Sequence, residues 1–180
     1  MPRKQWVYEV IRGERETDNV LLDTPEFVFL PDTHALNDGK TINWLAVVKD
    51  RGLKTLRDLR GCHLPMLRRL RVQCTEYILA NTEWKRHNIM AYFHYLPSVF
   101  QLHVHFCAPY GSYTTLDVFK VHPLDTVIGN LEIDSEYYRK AVLPTVVVGN
   151  SALLGVYGLT AVNNDYRNVE SPEIQPIGWK

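Results

Sequence analysis

The stretch that decides the fold alternates polar and apolar side chains over six positions, Gln101-Leu102-His103-Val104-His105-Phe106. Alternation with a period of two is typical of a β-strand that turns one face toward a core. Such a strand directs its glutamine and its two histidines to one face and buries its leucine, valine and phenylalanine. Residues 89–95 form a second strand-like run, separated from the first by a short segment that contains a proline. We therefore predict a hairpin that brings His94 close to the other two histidines.

Other parts of the chain carry further signals of secondary structure. Aromatic and β-branched runs predict strands over residues 5–11, 20–23, 26–30, 44–48 and 145–148. Residues 63–81 have apolar side chains every three or four positions and arginines between them, which predicts a long helix. Pro65 falls in its first turn, where the missing N–H costs nothing. A shorter pattern of this kind predicts a helix over residues 122–131. The predicted fold class is α+β, an antiparallel sheet with one long and one shorter helix.

Composition and charge narrow the function classes. The 180 residues are 46% hydrophobic and 22% charged, which is typical of a globular domain and excludes a disordered or fibrous chain. Twenty basic and twenty acidic residues leave no net charge, so no overall positive field exists to bind long nucleic acid. We predict one domain over residues 1–150 and a C-terminal extension over residues 151–180.

The cysteines and the hydropathy of the chain indicate where in the cell the protein is expected. The three cysteines form neither a Cys-x-x-Cys pair nor an even disulfide framework, and the first residues lack the apolar segment of a signal peptide. The uncharged stretch over residues 143–162 is interrupted by a proline, polar residues and glycines, so it does not suit a membrane span. We expect a cytoplasmic or nuclear protein that makes no contact with a membrane.

The predicted histidine cluster is the candidate site. Two imidazoles on one strand face, with His94 beside them, can hold an anionic group and let one ring act as a nucleophile. Two other interpretations of the same pattern stay open. The histidines can form a solvated strand face, or His94, His103 and His105 can bind zinc with Cys107 as a fourth ligand. No paired cysteine or nearby carboxylate supports the metal interpretation.

Several separate blocks of the sequence resemble one known family, the scavenger mRNA decapping enzymes of the histidine-triad (HIT) superfamily. Residues 94–106 resemble the histidine-triad signature, and residues 51–59 followed by 63–68 are similar to the segment that precedes the family's long helix. Residues 6–8 and 29–32 resemble its cap-binding strands. The resemblance extends from Gln5 to about Val148 and implies a HIT-like fold and a homodimer.

The resemblance also implies a reaction. Members of the family cleave the cap dinucleotide m7GpppN to m7GMP and a nucleoside diphosphate, with no metal or other cofactor. His103 occupies the position of the nucleophile, which would form a covalent nucleotidyl-histidine intermediate. His105 would hydrogen-bond the phosphoryl oxygens, and His94, Ser98 and Gln101 would complete the phosphate site.

Four further residues match the family's pocket for the methylated base. Trp6 matches a tryptophan that stacks on the positively charged purine, an arrangement that gains cation–π attraction. Glu16 matches the carboxylate that binds the guanine edge, and Asp32 matches a second acidic residue. His34 stands where the family has a lysine, which implies a pH-dependent contact. The implied ligand is a cap dinucleotide or a short capped RNA.

Several departures from the family pattern imply altered activity. Gln101 replaces the first histidine of the triad and cannot titrate near neutral pH. Val99 and Phe100 replace a pair of tyrosines, which removes phenolic donors. We also expect the family's N-terminal domain, which closes over the cap, to be absent. Activity should therefore be reduced, and two alternatives stay open: a catalytically weak cap-binding or structural subunit, and a general dinucleoside polyphosphate hydrolase.

Overall fold

The computed structural model describes residues 3–14, 17–32, 41–110 and 120–143. All of them lie in a compact unit that runs from Met1 to Val146. The strand predicted over residues 145–148 and the extension over residues 151–180 lie outside the described residues. The predicted domain boundary therefore stays a prediction.

The centre of the fold is a six-stranded sheet in which every neighbouring pair is antiparallel. Its strands are β1 (Leu22–Asp23), β2 (Phe27–Pro31), β3 (Ile42–Val48), β4 (Met90–His94), β5 (His103–Ala108) and β6 (Val121–Pro123). Their order across the sheet is β1-β2-β3-β5-β4-β6. The predicted α+β class with an antiparallel sheet is confirmed, and so is the β4–β5 hairpin.

Four helices are described, together with short 3₁₀ turns. The helices are α1 (Arg3–Ile11), α2 (Leu64–Asn81), α3 (Leu124–Ile133) and α4 (Tyr137–Lys140). The 3₁₀ turns are Thr17–Asn19, Leu56–Asp58, Gly61–His63 and Arg86–Asn88. The long helix and the shorter helix predicted from the sequence are α2 and α3. Within the described part of the chain, none of the helices combines the length and apolar character needed to cross a membrane.

Helices α2 and α3 form the main hydrophobic core with one face of the sheet. Leu67 and Leu70 of α2 and Val127 of α3 are fully buried there, together with Phe29 and Phe106 from the strands. An ion pair between Arg68 of α2 and Glu132 of α3 joins the two helices on the surface. The apolar spacing that predicted these helices is therefore the spacing of their buried faces.

The prediction of a strand over residues 5–11 is wrong, because these residues belong to helix α1. Val7 and Val10 are buried and Ile11 is partly buried, so the apolar side chains recur at the three- and four-residue spacing of a helix face. This face packs on β2 and β3, on the side of the sheet opposite α2. Burial against the sheet outweighs the local strand propensity of the β-branched residues.

The register of the sheet shows which side chains share a face with α1. Leu45 and Val47 of β3, which contact the α1 cluster, lie directly opposite His105 and His103 of β5. Residues directly opposite each other point to the same face. The histidines therefore lie on the α1 side, and Val104 lies on the side of α2 and α3, as the alternation predicts.

Candidate active site

Three imidazole rings meet on the α1 side of the sheet, at the β4–β5 hairpin. The ring centroids of His94 and His105 are 4.4 Å apart, and those of His103 and His105 are 5.1 Å apart. His94 ends β4, and the other two lie on β5 with one residue between them. The hairpin thus brings together the three histidines that the sequence pattern singled out.

The first residue of β5, His103, has a defined tautomer. Its Nδ1 lies 2.7 Å from the backbone carbonyl oxygen of Gln101. A carbonyl oxygen can only accept a hydrogen bond, so Nδ1 carries the proton and Nε2 of the neutral ring has a free lone pair. Burial lowers the pKa of His103, although the Gln101 carbonyl and the Asp32 carboxylate oppose this shift. A neutral ring with a lone pair on Nε2 has the form of a nucleophile.

His105 is held neutral more strongly than His103. Burial lowers the pKa of His105 well below its ordinary value, and the neighbouring His103 and His94 lower it further. Its Nε2 is buried and has no hydrogen-bond partner among the described residues. When it carries the ring proton, a buried imidazole nitrogen of this kind can donate to a group that the chain itself does not supply, such as an oxygen of a bound phosphate.

Sequence reasoning did not single out Tyr92, which is a fourth ring in the same cluster. Its ring lies parallel to that of His105, with centroids 5.1 Å apart and an interplanar angle of 9°. The two residues are direct partners in the β4–β5 ladder. The signal was present, because Tyr92 lies two positions before His94 and therefore shares its strand face.

Gln101 is buried and holds the hairpin connection to the end of β3. Its Nε2 donates hydrogen bonds to the carbonyl oxygens of Val48 at 2.7 Å and Asp50 at 2.8 Å. Both amide protons are therefore engaged, and a phosphate oxygen would need one of them. This arrangement positions the loop whose carbonyl oxygen binds His103, and the predicted phosphate contact of Gln101 stays a prediction.

The hairpin connection has residues on both sides of the sheet, with Val99 on the side of the histidines and Tyr95 and Leu102 on the side of α2 and α3. Ser98 is exposed, and Val99 packs partly against the apolar cluster formed by α1, β2 and β3. Tyr95 lies at the start of the connection, and its hydroxyl accepts a hydrogen bond from Nε of Arg57 at 3.2 Å. Its Nη1 donates to the carbonyl oxygens of Tyr138 and Ala141, so this guanidinium anchors the loop. The predicted phosphate contact of Ser98 stays a prediction.

The predicted base pocket is only partly described. Asp32 follows β2 directly and is close enough for its charge to raise the pKa of His103. Its position links it to the histidine cluster. The backbone of Trp6 lies in α1, while its side chain, Glu16 and His34 lie outside the described residues. The base-binding roles of these four residues stay predictions.

The metal interpretation finds no matching arrangement in the part of the chain that the structure describes. No group of three or more histidine, cysteine, aspartate or glutamate side chains there could hold a metal ion. Cys107 is fully buried beside Met90 and Tyr92, in an apolar cluster next to the histidines.

A groove of about 510 Å³ lies elsewhere, between the end of β3 and the start of α2. Arg69 on its wall donates to the carboxylate of Glu26 at 2.6 and 2.8 Å, and Lys49 pairs with Asp23. These cations are already neutralised, so they offer little to a phosphate. The histidine cluster remains the candidate active site.

Comparisons with known proteins identify relatives of this chain. The model of the family described as "Scavenger mRNA decapping enzyme C-term binding" matches residues 5–116. The m7GpppX diphosphatase of Homo sapiens is 35% identical over 158 residues, which are 83% of this chain and 46% of that protein. The m7GpppX diphosphatase of Caenorhabditis elegans is 37% identical over 145 residues, 77% of this chain and 46% of that protein. The chain thus spans about half the length of the curated relatives it matches.

Among solved structures, the aprataxin ortholog Hnt3 from Schizosaccharomyces pombe matches with a TM-score of 0.44 and 16% identity. The match covers 74% of this chain and 81% of that one. A structure of Hnt3 in complex with DNA and guanosine matches with a TM-score of 0.45 and 16% identity, covering 73% and 79% of the two chains.

Proposed function

This chain belongs to the family of scavenger mRNA decapping enzymes, and from that membership we propose that it hydrolyses the residual cap dinucleotide m7GpppN to m7GMP and a nucleoside diphosphate. The observation that carries the proposal is the state of His103. Its Nδ1 is bound to the Gln101 carbonyl oxygen at 2.7 Å, and its pKa is lowered by burial. Nε2 is therefore available for attack at neutral pH.

The proposed reaction has two steps. Nε2 of His103 attacks the phosphorus next to the methylguanosine, a P–N bond forms, and the bond from that phosphorus to the bridging oxygen breaks. The nucleoside diphosphate leaves with the bridging oxygen, which keeps the electron pair of the broken P–O bond. The oxygen of a water molecule then attacks the phosphorus of the nucleotidyl-histidine, and the P–N bond breaks. This releases m7GMP, gives one proton of the water to solvent and returns the neutral imidazole. Splitting the reaction in this way replaces one difficult displacement by two easier ones.

His105 and His94 are proposed to bind the phosphoryl oxygens during both steps. His105 has a buried Nε2 without a partner among the described residues, and its ring is 4.4 Å from that of His94. A neutral imidazole nitrogen that carries a proton donates to a phosphoryl oxygen without bringing a full charge into the site. Donors held in place before the reaction stabilise the charge that develops in the transition state.

The methylated base is proposed to bind near α1. Helix α1 packs beside the histidines on the same sheet face, and Trp6 belongs to this helix. The proposed ligand is a cap dinucleotide or a short capped RNA, bound by a homodimer in the cytoplasm or nucleus. These proposals on ligand length, assembly and compartment rest on the sequence resemblance.

The experiment that tests the function compares two substrates and two proteins. The purified full chain and its His103→Asn variant are incubated separately with m7GpppG and with unmethylated GpppG, and the products are separated by chromatography. We expect the unsubstituted protein to release m7GMP and GDP from the methylated cap. Asparagine removes the attacking nitrogen but keeps a polar group, so the variant should bind the cap and not cleave it.

Each other outcome points to a named alternative. A rate for His103→Asn within about tenfold of the unsubstituted protein, a loss of only about 1.4 kcal/mol, would exclude His103 as the nucleophile. Equal cleavage of both substrates would favour a general dinucleoside polyphosphate hydrolase. Binding of m7GpppG without cleavage by the unsubstituted protein would favour a cap-binding subunit.

A further inference from the structure

The ring of Tyr92 contacts two histidines of the candidate active site. It is 4% exposed, and its ring stacks on His105 with a 9° angle between the planes. The same ring contacts His94 nearly edge-on, with centroids 5.2 Å apart and an angle of 65°. One aromatic side chain therefore contacts two of the three imidazoles.

The backbone and the neighbouring side chains hold Tyr92 in this position. Cross-strand pairing in the β4–β5 ladder sets Tyr92 directly opposite His105. Met90 and Cys107, also direct partners in that ladder, are buried in the same small cluster as Tyr92. A ring held by register and by packing cannot turn freely, so it offers a fixed surface to the imidazole beside it.

We propose that Tyr92 is a positioning residue of the active site, whose ring fixes the orientation of the His105 imidazole and covers one of its faces. The inference rests on the proposed function, since it assigns a task to His105 in binding the phosphate. If the His105 ring tilts, its Nε2 no longer points at the phosphoryl oxygens. A misplacement of about 1 Å in such a contact can cost roughly a hundredfold in rate.

The surroundings of His105 show why this task belongs to Tyr92. β4 contributes Tyr92 and His94, β5 contributes His103, and β3 contributes the apolar Leu45. Among these neighbours, the two imidazoles contact His105 at steep angles of 56° and 62°, and neither lies flat on it. Tyr92 contributes the parallel face, an arrangement that requires a planar ring.

The proposal separates stacking from simple filling of space. Tyr92→Phe keeps the ring and removes only the hydroxyl, so it should preserve the orientation of His105. Tyr92→Leu keeps an apolar side chain but has no planar surface. The smaller leucine leaves a cavity whatever the role of Tyr92, so a loss of stability does not separate the two roles. The orientation of His105 does, because only a positioning ring controls it.

The test combines nitrogen NMR of the imidazole side chains with cleavage of m7GpppG. His105 of the unsubstituted protein and of Tyr92→Phe should show one sharp set of neutral-imidazole signals at pH 8. In Tyr92→Leu we expect these signals to shift and broaden, because the ring then samples more than one orientation. His122 serves as an internal reference, because it pairs with Phe93 and lies on the opposite face of the sheet. Its signals should be the same in all three proteins.

The cleavage measurements should also distinguish Tyr92→Leu from Tyr92→Phe. We expect kcat of Tyr92→Leu to fall by roughly tenfold to a hundredfold with KM changed by less than about threefold, and Tyr92→Phe to stay within about twofold of the unsubstituted protein. An unchanged His105 spectrum in Tyr92→Leu would overturn the proposal even if no protein cleaves the cap, an outcome that would separately refute the proposed function. If Tyr92→Leu does not fold, broadened His105 signals in Tyr92→Phe or in the unsubstituted protein would overturn it.

Discussion

Val47 of β3 and His103 of β5 lie directly opposite each other in the central ladder of the sheet. Val47 belongs to the apolar cluster on which Val7 and Val10 of α1 pack. The surface on which α1 packs and the proposed nucleophile are therefore adjacent on one face of the sheet. This adjacency suits a ligand that has a base at one end and phosphates at the other, because such a ligand can contact both parts at once.

The first prediction concerns cap selectivity at α1. Trp6→Ala should weaken the binding of m7GpppG by roughly 0.5–2 kcal/mol more than the binding of GpppG, because only the methylated base carries the positive charge that an indole ring attracts. Calorimetric titration of the His103→Asn variant, with and without Trp6→Ala, measures both ligands without turnover. Equal losses for the two ligands would remove Trp6 from the base pocket.

The second prediction concerns stability in mild acid. Burial lowers the pKa of His103, His105 and His122 in the folded chain. Below about pH 6.5 the unfolded chain therefore binds protons that the folded chain does not, so the free energy of unfolding should fall as the pH falls from 7 to 5. The slope is at most about 1.4 kcal/mol per pH unit for each such histidine.

Urea denaturation at pH 5, 6 and 7 measures this slope. His105→Phe should make it shallower, because it removes one of the groups and keeps a ring of similar size. His122→Phe is the matched control on the opposite face, and it should have a smaller or equal effect because the pKa of His105 is lowered further. A free energy of unfolding that stays constant or rises on acidification would contradict the assignment of buried neutral histidines.

Some features of the fold were predictable because the signal is local. The alternation over residues 101–106 encodes both the strand and its two faces, since a strand has a fixed period of two. The three- and four-residue spacing over residues 64–81 encodes α2 in the same way. In both segments the spacing of the apolar side chains is enough to predict whether a strand or a helix forms.

Other features depend on contacts between distant parts of the chain. Residues 5–11 have strand-forming side chains but become helical, because their apolar face packs on β2 and β3. The stacking of Tyr92 on His105 depends on register, which the conformation of residues 95–102 determines. The hydrogen bonds from Gln101 reach Val48 and Asp50, about fifty positions earlier, and no local pattern indicates such a pairing.

The third prediction concerns Gln101 and its two bonds to the end of β3. Gln101→Met has a similar volume but no donor, so it leaves the carbonyl oxygens of Val48 and Asp50 without this partner. We expect a loss of roughly 1–3 kcal/mol in the free energy of unfolding. Because the Gln101 carbonyl oxygen also binds Nδ1 of His103, any shift of the loop should lower kcat for cap cleavage more than it raises KM.

Gln101→Glu is the sharper variant, because it places a carboxylate against the same two carbonyl oxygens. An uncompensated buried charge costs roughly 3–5 kcal/mol, so at pH 7 this variant should be less stable than Gln101→Met. A buried carboxyl group has its pKa raised above the unfolded value of about 4.3, so the deficit should grow as the pH rises through that value and shrink in acid, where the protonated group donates one bond. Urea denaturation of both variants and the unsubstituted protein at pH 5 and pH 7 separates these effects. Equal stability of the two variants at pH 7 would show that the amide of Gln101 does not hold the hairpin connection to β3.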